Sequence, residues 1–229
     1  MFTTMSAWQR LTLLVLAGIA VVALFVLAFT AGRVSAGSPH PGTTSADAGF
    51  ARDMQVHHAQ AVQMSMMLRD RTDDETLRTI AYDVAMTQQQ QKGQMYAWLQ
   101  EWGLPQSSGE SRMAWMTSMA EGAMDHSMES GSTAGMESTG GAGSMAVGAD
   151  GLMPGMATPE QLEELAAASD DDAERIYLTL MIDHHVAGVE MAAAGVELAS
   201  TEQVRTLASR IEDSQQAEID LMQALLDEL

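Results

Sequence analysis

Met54-Gln55-Val56-His57-His58-Ala59-Gln60-Ala61-Val62-Gln63-Met64 is answered further along the chain by Met181-Ile182-Asp183-His184-His185-Val186-Ala187-Gly188-Val189-Glu190-Met191. Both stretches read M-x-x-H-H-x-x-x-V-x-M, and together they hold four of the six histidines. Shifting the sequence by 127 positions aligns Phe50–Trp102 with Tyr177–Leu229 without a gap, with 15 identities in 53 pairs. A unit of this length that occurs only twice predicts a duplicated motif, because a solenoid needs three or more stacked repeats.

Working outward from the first copy, Phe50, Met54, His57/His58, Ala61, Met64 and Leu68 recur at three- and four-residue steps. That period predicts a helix from about Asp47 to Arg69. Thr72-Asp73-Asp74-Glu75 supplies an N-cap and first-turn acids for a second helix, which runs to about Trp102 before Gly103-Leu104-Pro105 stops it. The second copy repeats the plan. Thr158-Pro159-Glu160-Gln161 carries a cap, an N1 proline and a capping-box glutamine for a short helix to about Ala168. Ser169 and three aspartates open the helix that carries His184 and His185 to about Ala199. Ser200-Thr201-Glu202 opens the last helix, with its stripe of Val204, Leu207/Ala208, Ile211, Gln215, Met222 and Leu225. One hairpin of this size has a poor core, so two related hairpins are expected to bury their stripes against each other. The fold class is therefore all-α, a four-helix bundle of two duplicated hairpins related by a pseudo-twofold axis.

The domain plan follows. Residues 1–36 form a membrane anchor or signal segment, because Leu11 to Gly32 is free of charge and long enough to span a bilayer. That length favours a retained anchor, while Val34-Ser35-Ala36 offers a cleavage site for release of a secreted form. In either case the rest of the chain is expected outside the cytoplasm. Residues 37–46 are a linker, and residues 47–229 are the duplicated domain: hairpin one at 47–103, an insert at 104–157, and hairpin two at 158–229. The insert is rich in Met, Gly and Ser, and its centre from Ser130 to Gly151 is expected to be irregular.

Composition excludes several functions. The formal charge is −20, with 31 acids against 11 bases, which argues against a nucleic-acid partner. An acidic surface suits cations, or simply solubility. No cysteine is present, so neither disulfides nor thiolate metal sites exist. Twenty methionines are present instead. No phosphate-binding glycine loop, G-x-S-x-G or H-E-x-x-H occurs, so no enzymatic constellation is expected.

The doubled motif points to a metal. Thioether sulfur is soft and suits Cu(I), and by the same softness Ag(I), while imidazole also accepts Cu(II). A di-iron carboxylate bundle needs Glu-x-x-His on two helices, and the sequence has none. On a helix His57 and Met64 share a face, about 20° apart, whereas His58 stands about 100° from His57. Adjacent histidines therefore diverge, and each copy needs the other to complete a site. The candidate ligands are Met54, His57, His58, Met64, Met181, His184, His185 and Met191. Met113, Met116, Met119, Met124, His126 and Met128 in the insert form a second, weaker set, or else serve as oxidation sinks. Gln88 and Gln215 recur on the inner faces of the second helices, either to orient histidines or to make a buried inter-helix hydrogen bond. The competing reading is a plain helical bundle in which His and Met only fill the core.

The sequence resembles the bacterial domain-of-unknown-function 305 (DUF305) family. The resemblance rests on Phe50-x-x-x-Met54-x-x-His57-His58, on Gly155-Met156-Ala157-Thr158-Pro159-Glu160, and on Ile176-Tyr177-Leu178-x-x-Met181-Ile182-x-His184-His185-x-x-Gly188-Val189-x-Met191-Ala192. It covers roughly residues 46–229 and implies a ferritin-like four-helix bundle. Some members are exported copper- or silver-binding proteins, which implies copper as cofactor, silver as its surrogate, and a copper-exchange protein as partner. Such a site should lose affinity as pH falls through the ordinary imidazole pKa near 6.5.

Overall fold

The computed structural model describes residues 6–35, 40–116 and 147–229. Two compact units are present, residues 1–40 and 41–229. The first holds α1 (Ala7–Ser35), whose segment Ala7–Phe29 is long and apolar enough to cross a membrane, as a signal sequence near an N-terminus also can be.

The second unit is helical, with no strand among the described residues. It contains α2 (Ala46–Arg69), α3 (Glu75–Glu101), a single 3-10 turn (Ala114–Met116), α4 (Pro159–Ala167), α5 (Asp170–Leu198) and α6 (Glu202–Glu228). Helix α2 pairs with α3 and α5 with α6, and the two hairpins meet chiefly through α2 and α5. These are the two helices that carry the histidine motif. The expected capping box at Thr158 and Gln161 is formed in full. Within Thr72–Glu75 the cap is Asp74, whose Oδ1 accepts the Leu77 N–H at 2.8 Å.

Two apolar clusters fill the bundle. One gathers Phe50, Met54, Met95, Leu99, Met191, Val204 and Ile211. The other gathers Met64, Leu68, Leu77, Leu178, Met181 and Met222. Along α2 the histidines fall between Met54 of the first cluster and Ala61 of the second. Along α5 they fall between Met181 of the second and Met191 of the first. The antiparallel repeat therefore sets a polar layer between two greasy ones.

Thr201 caps α6 by position but makes no side-chain cap bond of its own. Asp47, in the first turn of α2, instead holds the turn that leads into α6 from the other hairpin. Its Oδ2 accepts from Ser200 N (3.0 Å) and Oγ (2.8 Å), and its Oδ1 from Thr201 N (2.9 Å) and Oγ1 (2.6 Å). Burial pushes the Asp47 carboxyl up, but the four bonds from Thr201 and Ser200 outweigh it and hold its pKa below the ordinary value. Glu174, 127 positions on and early in α5, accepts the Thr72 hydroxyl at the entrance to α3. The hairpins thus clamp each other's tight turns reciprocally. Replacing Asp47 by Ala orphans four donors at the turn into α6, so a loss of about 2–4 kcal/mol of unfolding free energy is expected in urea titration. An unfolding free energy within about 0.5 kcal/mol of wild type, the range of ordinary surface substitutions, would contradict this role.

Candidate metal centre

His57 and His58 reach the bundle interior from α2, and His184 and His185 from α5; all four are fully buried. The rings of His57 and His184 lie face to face, their centroids 3.7 Å apart and their planes tilted by 31°. This is the cross-hairpin meeting that the repeat predicted. His58 and His185 diverge from that pair, each towards the second helix of its own hairpin.

Hydrogen bonding fixes which nitrogen of each ring is free. His184 Nε2 lies 3.0 Å from the His57 carbonyl, an acceptor only, so Nε2 carries the proton and Nδ1 keeps a lone pair. His185 Nε2 donates to Glu218 Oε2 at 2.7 Å, and His58 Nε2 to Gln91 Oε1 at 2.7 Å. The Nδ1 atoms of His58, His184 and His185 have no partner, nor does either ring nitrogen of His57. The Pro154 carbonyl faces His57 closely enough to favour its charged form, yet completes no well-formed bond. A ring with one nitrogen tied to a carboxylate, carbonyl or amide and the other free is the form in which histidine ligates metals.

Burial keeps the rings of His57, His58 and His184 neutral. It pulls His57 down to about 3, helped by the neighbouring His185. It pulls His58 down to about 3 as well, with His57 adding to the effect. His184 is also held well below its ordinary value, by burial first and by the other three histidines second. Proton competition for these nitrogens therefore sits far below the pH near 6.5 expected from the sequence.

The predicted thioethers are all fully buried but divided: Met54 and Met191 pack in one apolar cluster, Met64 and Met181 in the other. They flank the histidine layer on both sides rather than lying within it. Met113 is a core side chain of the first cluster, and Met116 packs against that cluster. Asp53 holds this segment: its Oδ2 accepts the Met113 N–H (2.8 Å) and the Trp115 indole N–H (3.0 Å). Met119, Met124, His126 and Met128 lie outside the described residues, as does 130–146 of the expected irregular stretch. Residues 147–151, its described end, form turns.

Gln88 and Gln215 are buried as expected, but neither orients a histidine and neither makes an inter-helix hydrogen bond; all four amide atoms lack partners. Gln215 lies against Gly188, where a Cβ would stand 2.2 Å from its Oε1, so a larger residue there would displace the Gln215 amide. The orienting residues are Gln91 and Glu218, which the sequence reading passed over. They too stand 127 positions apart, each 33 residues after its histidine. A polar residue at matching offsets from both histidines was the available signal.

One segment of the insert closes the layer. Gln60 grips Ala157 through both amide atoms, Nε2 to the carbonyl (2.9 Å) and Oε1 from the N–H (2.7 Å). Gly155, at φ +70°, presses against α5 so closely that a Cβ would meet the Asp183 carbonyl at 2.5 Å and His184 Cα at 3.1 Å. Among the described residues no three His, Asp or Glu side chains converge on one point.

Two homologous helical hairpins closed around a buried histidine layer define this protein as an all-α bundle of duplicated hairpins. The family model "Domain of unknown function (DUF305)" matches residues 47–226. The chain belongs to the DUF305 family. It is similar to a DUF305 protein from Streptomyces coelicolor described as secreted, at 42% identity and TM-score 0.66, over 82% of this chain and 95% of that one. A DUF305 fragment from Deinococcus radiodurans matches at 26% identity and TM-score 0.59, over 83% of this chain and 100% of that one. CopM in its Cu(II)-bound form shares the fold at 22% identity and TM-score 0.51, over 80% of this chain and 97% of that one. Comparison with curated proteins gives no match.

Proposed function

We propose that this protein binds a soft metal ion, Cu(I) with Ag(I) as its surrogate, in the histidine layer, and that it stores the ion or hands it on without catalysing a reaction. The observation that carries this reading is the set of five buried imidazole nitrogens with no hydrogen-bond partner. Each such group costs about 1–3 kcal/mol to bury unsatisfied, so together they consume stability comparable to that of a whole domain. A layer built only to fill a core would be more stable with leucine. One nitrogen of the neutral His57 ring is an N–H, and a cation bound by the remaining lone pairs recovers most of the cost.

The ligands in this reading are His57, His58, His184 and His185, with Met54, Met64, Met181 and Met191 as soft donors on either side. CopM, a protein of the same fold, has been crystallised with Cu(I), Cu(II) and Ag. The domain works outside the cytoplasm, held to the membrane by α1 or released after cleavage there, and exchanges copper with a partner protein.

Titration of the purified protein with Ag(I), and with Cu(I) under reductant, tests the proposal. Saturation at a small whole-number ratio is expected. At a free-ion concentration of about 100 times Kd the folded state gains about 2.7 kcal/mol, read as a rise in melting temperature. Unchanged melting with either ion leaves the plain-bundle reading standing.

A further inference from the structure

The two halves of the histidine layer are not equal. His58 and His185 are pseudo-equivalent, each donating from Nε2 at 2.7 Å to a residue 33 positions on. The acceptor is an amide in hairpin one, Gln91, and a carboxylate in hairpin two, Glu218. Among the described residues Glu218 is the one acid hydrogen-bonded to any of the four histidines. The other buried acids are engaged elsewhere: Asp47 at the α6 cap, Glu174 at Thr72, and Asp53 at Met113 and Trp115.

The position of Glu218 suits a counter-charge. Its side chain is 25% exposed while His185 is 0% exposed, so the carboxylate reaches from solvent to the wall of the sealed layer. It holds its charge at little desolvation cost and directs it inward through one imidazole.

We propose that Glu218 sets the charge of the ion this site accepts. An ion buried without a counter-charge pays a large desolvation penalty. One carboxylate balances one positive charge, leaving a layer that holds Cu(I) or Ag(I) neutral overall. The same layer holding a dication carries an uncompensated buried charge. Gln91 gives the matching histidine the same orientation with no charge, so the site stops at one. Glu218 is a specificity residue that acts through His185, and the assignment rests on the metal-binding reading above.

The test uses two charge-only exchanges, Glu218→Gln and Gln91→Glu, with Glu218→Asp as the conservative variant. Both exchanges keep a hydrogen-bond acceptor for the histidine, which separates charge from orientation. Affinities of each variant for Ag(I) and for Zn(II), a dication without redox chemistry, are measured by chelator competition. Melting of the metal-free forms establishes folding. Glu218→Gln is expected to weaken Ag(I) binding about ten- to hundredfold, the range for partners of ligating histidines. Gln91→Glu is expected to move the Zn(II)-to-Ag(I) affinity ratio about tenfold towards Zn(II) by the same charge balance. Glu218→Asp should stay close to wild type in that ratio. Unchanged Ag(I) affinity in Glu218→Gln, or an unchanged ratio in Gln91→Glu, overturns the role of Glu218 while leaving the metal site intact. A wild-type protein that binds neither ion removes the site itself, and the role of Glu218 with it.

Discussion

Acidifying the metal-free protein from about pH 7 to about pH 4.5 is expected to cost most of its stability. The cause is the neutral histidine layer. His57 and His58 sit at about 3 in the folded state, and His184 is well below its ordinary value. In the unfolded chain each returns to about 6.5. Below that pH the unfolded state binds more protons than the folded state, so stability falls as pH falls. It is fully present above about pH 6.5, and the decline continues down to the folded-state values. Each histidine contributes a slope of up to about 1.4 kcal/mol per pH unit, so His57 and His58 together lose up to roughly 5 kcal/mol over two units, and His184 adds a loss of the same sign. Total stabilities of about 5–15 kcal/mol do not survive that comfortably. Asp53 opposes the trend: burial raises its pKa, so its share of stability grows on acidification, but it is one group against three. Urea midpoints at about pH 7.5 and about pH 5 decide the matter. Equal midpoints would mean that the layer is wet or already protonated.

The second large effect separates stability from binding. Replacing His57 by Leu removes two unpartnered ring nitrogens from the core, and His184→Leu removes one. Metal-free His57→Leu is expected to be more stable than wild type, by about 1–3 kcal/mol. Its affinity for Ag(I) should nevertheless collapse by about a hundredfold or more, in keeping with the loss of a ligand rather than of a supporting residue. In the proposed shared site the touching His57 and His184 rings act together, so His57→Leu/His184→Leu should lose little beyond either single variant. The same holds for Ala replacement of the His57/His58 and His184/His185 pairs. Half-losses that add to a whole would require two independent sites. A His57→Leu protein that is destabilised would mean that the ring nitrogens are satisfied in solution and that the site is structural.

What the sequence disclosed was what depends on local periodicity. The three- and four-residue steps through Phe50, Met54, Ala61 and Leu68 mark the buried face of α2, and Thr158 with Gln161 marks the start of α4. The 127-residue offset disclosed that two histidine pairs would face each other. Features that depend on where distant side chains arrive were hidden. Nothing local distinguishes Asp47 from any first-turn acid, because its partners lie more than 150 residues away. Gln88 and Gln215 drew attention by identity across the repeat, whereas the residues that touch the histidines differ, Gln91 against Glu218. Identity was the wrong filter there, since a functional asymmetry has to appear as a mismatch. The thioethers were assigned to one site by spacing along each helix. The antiparallel pairing of α2 with α5 instead deals them alternately to the two apolar clusters.

The reciprocal clamps also bear on how the chain acquires its structure. Helix α2 and α3 contain all their own backbone bonds, and a helical hairpin of this kind forms within microseconds to milliseconds. Asp47, however, stays without its partners until Ser200 and Thr201 have left the ribosome or the export channel, and Thr72 waits equally for Glu174. At about 5–20 residues per second the first hairpin spends several seconds incomplete, with its share of the histidine layer open to solvent. The slow event in refolding is then the docking of two preformed hairpins, so the transition state should carry helix but few clamp contacts. Substitutions at Asp47 are accordingly expected to speed unfolding while leaving the refolding rate almost untouched.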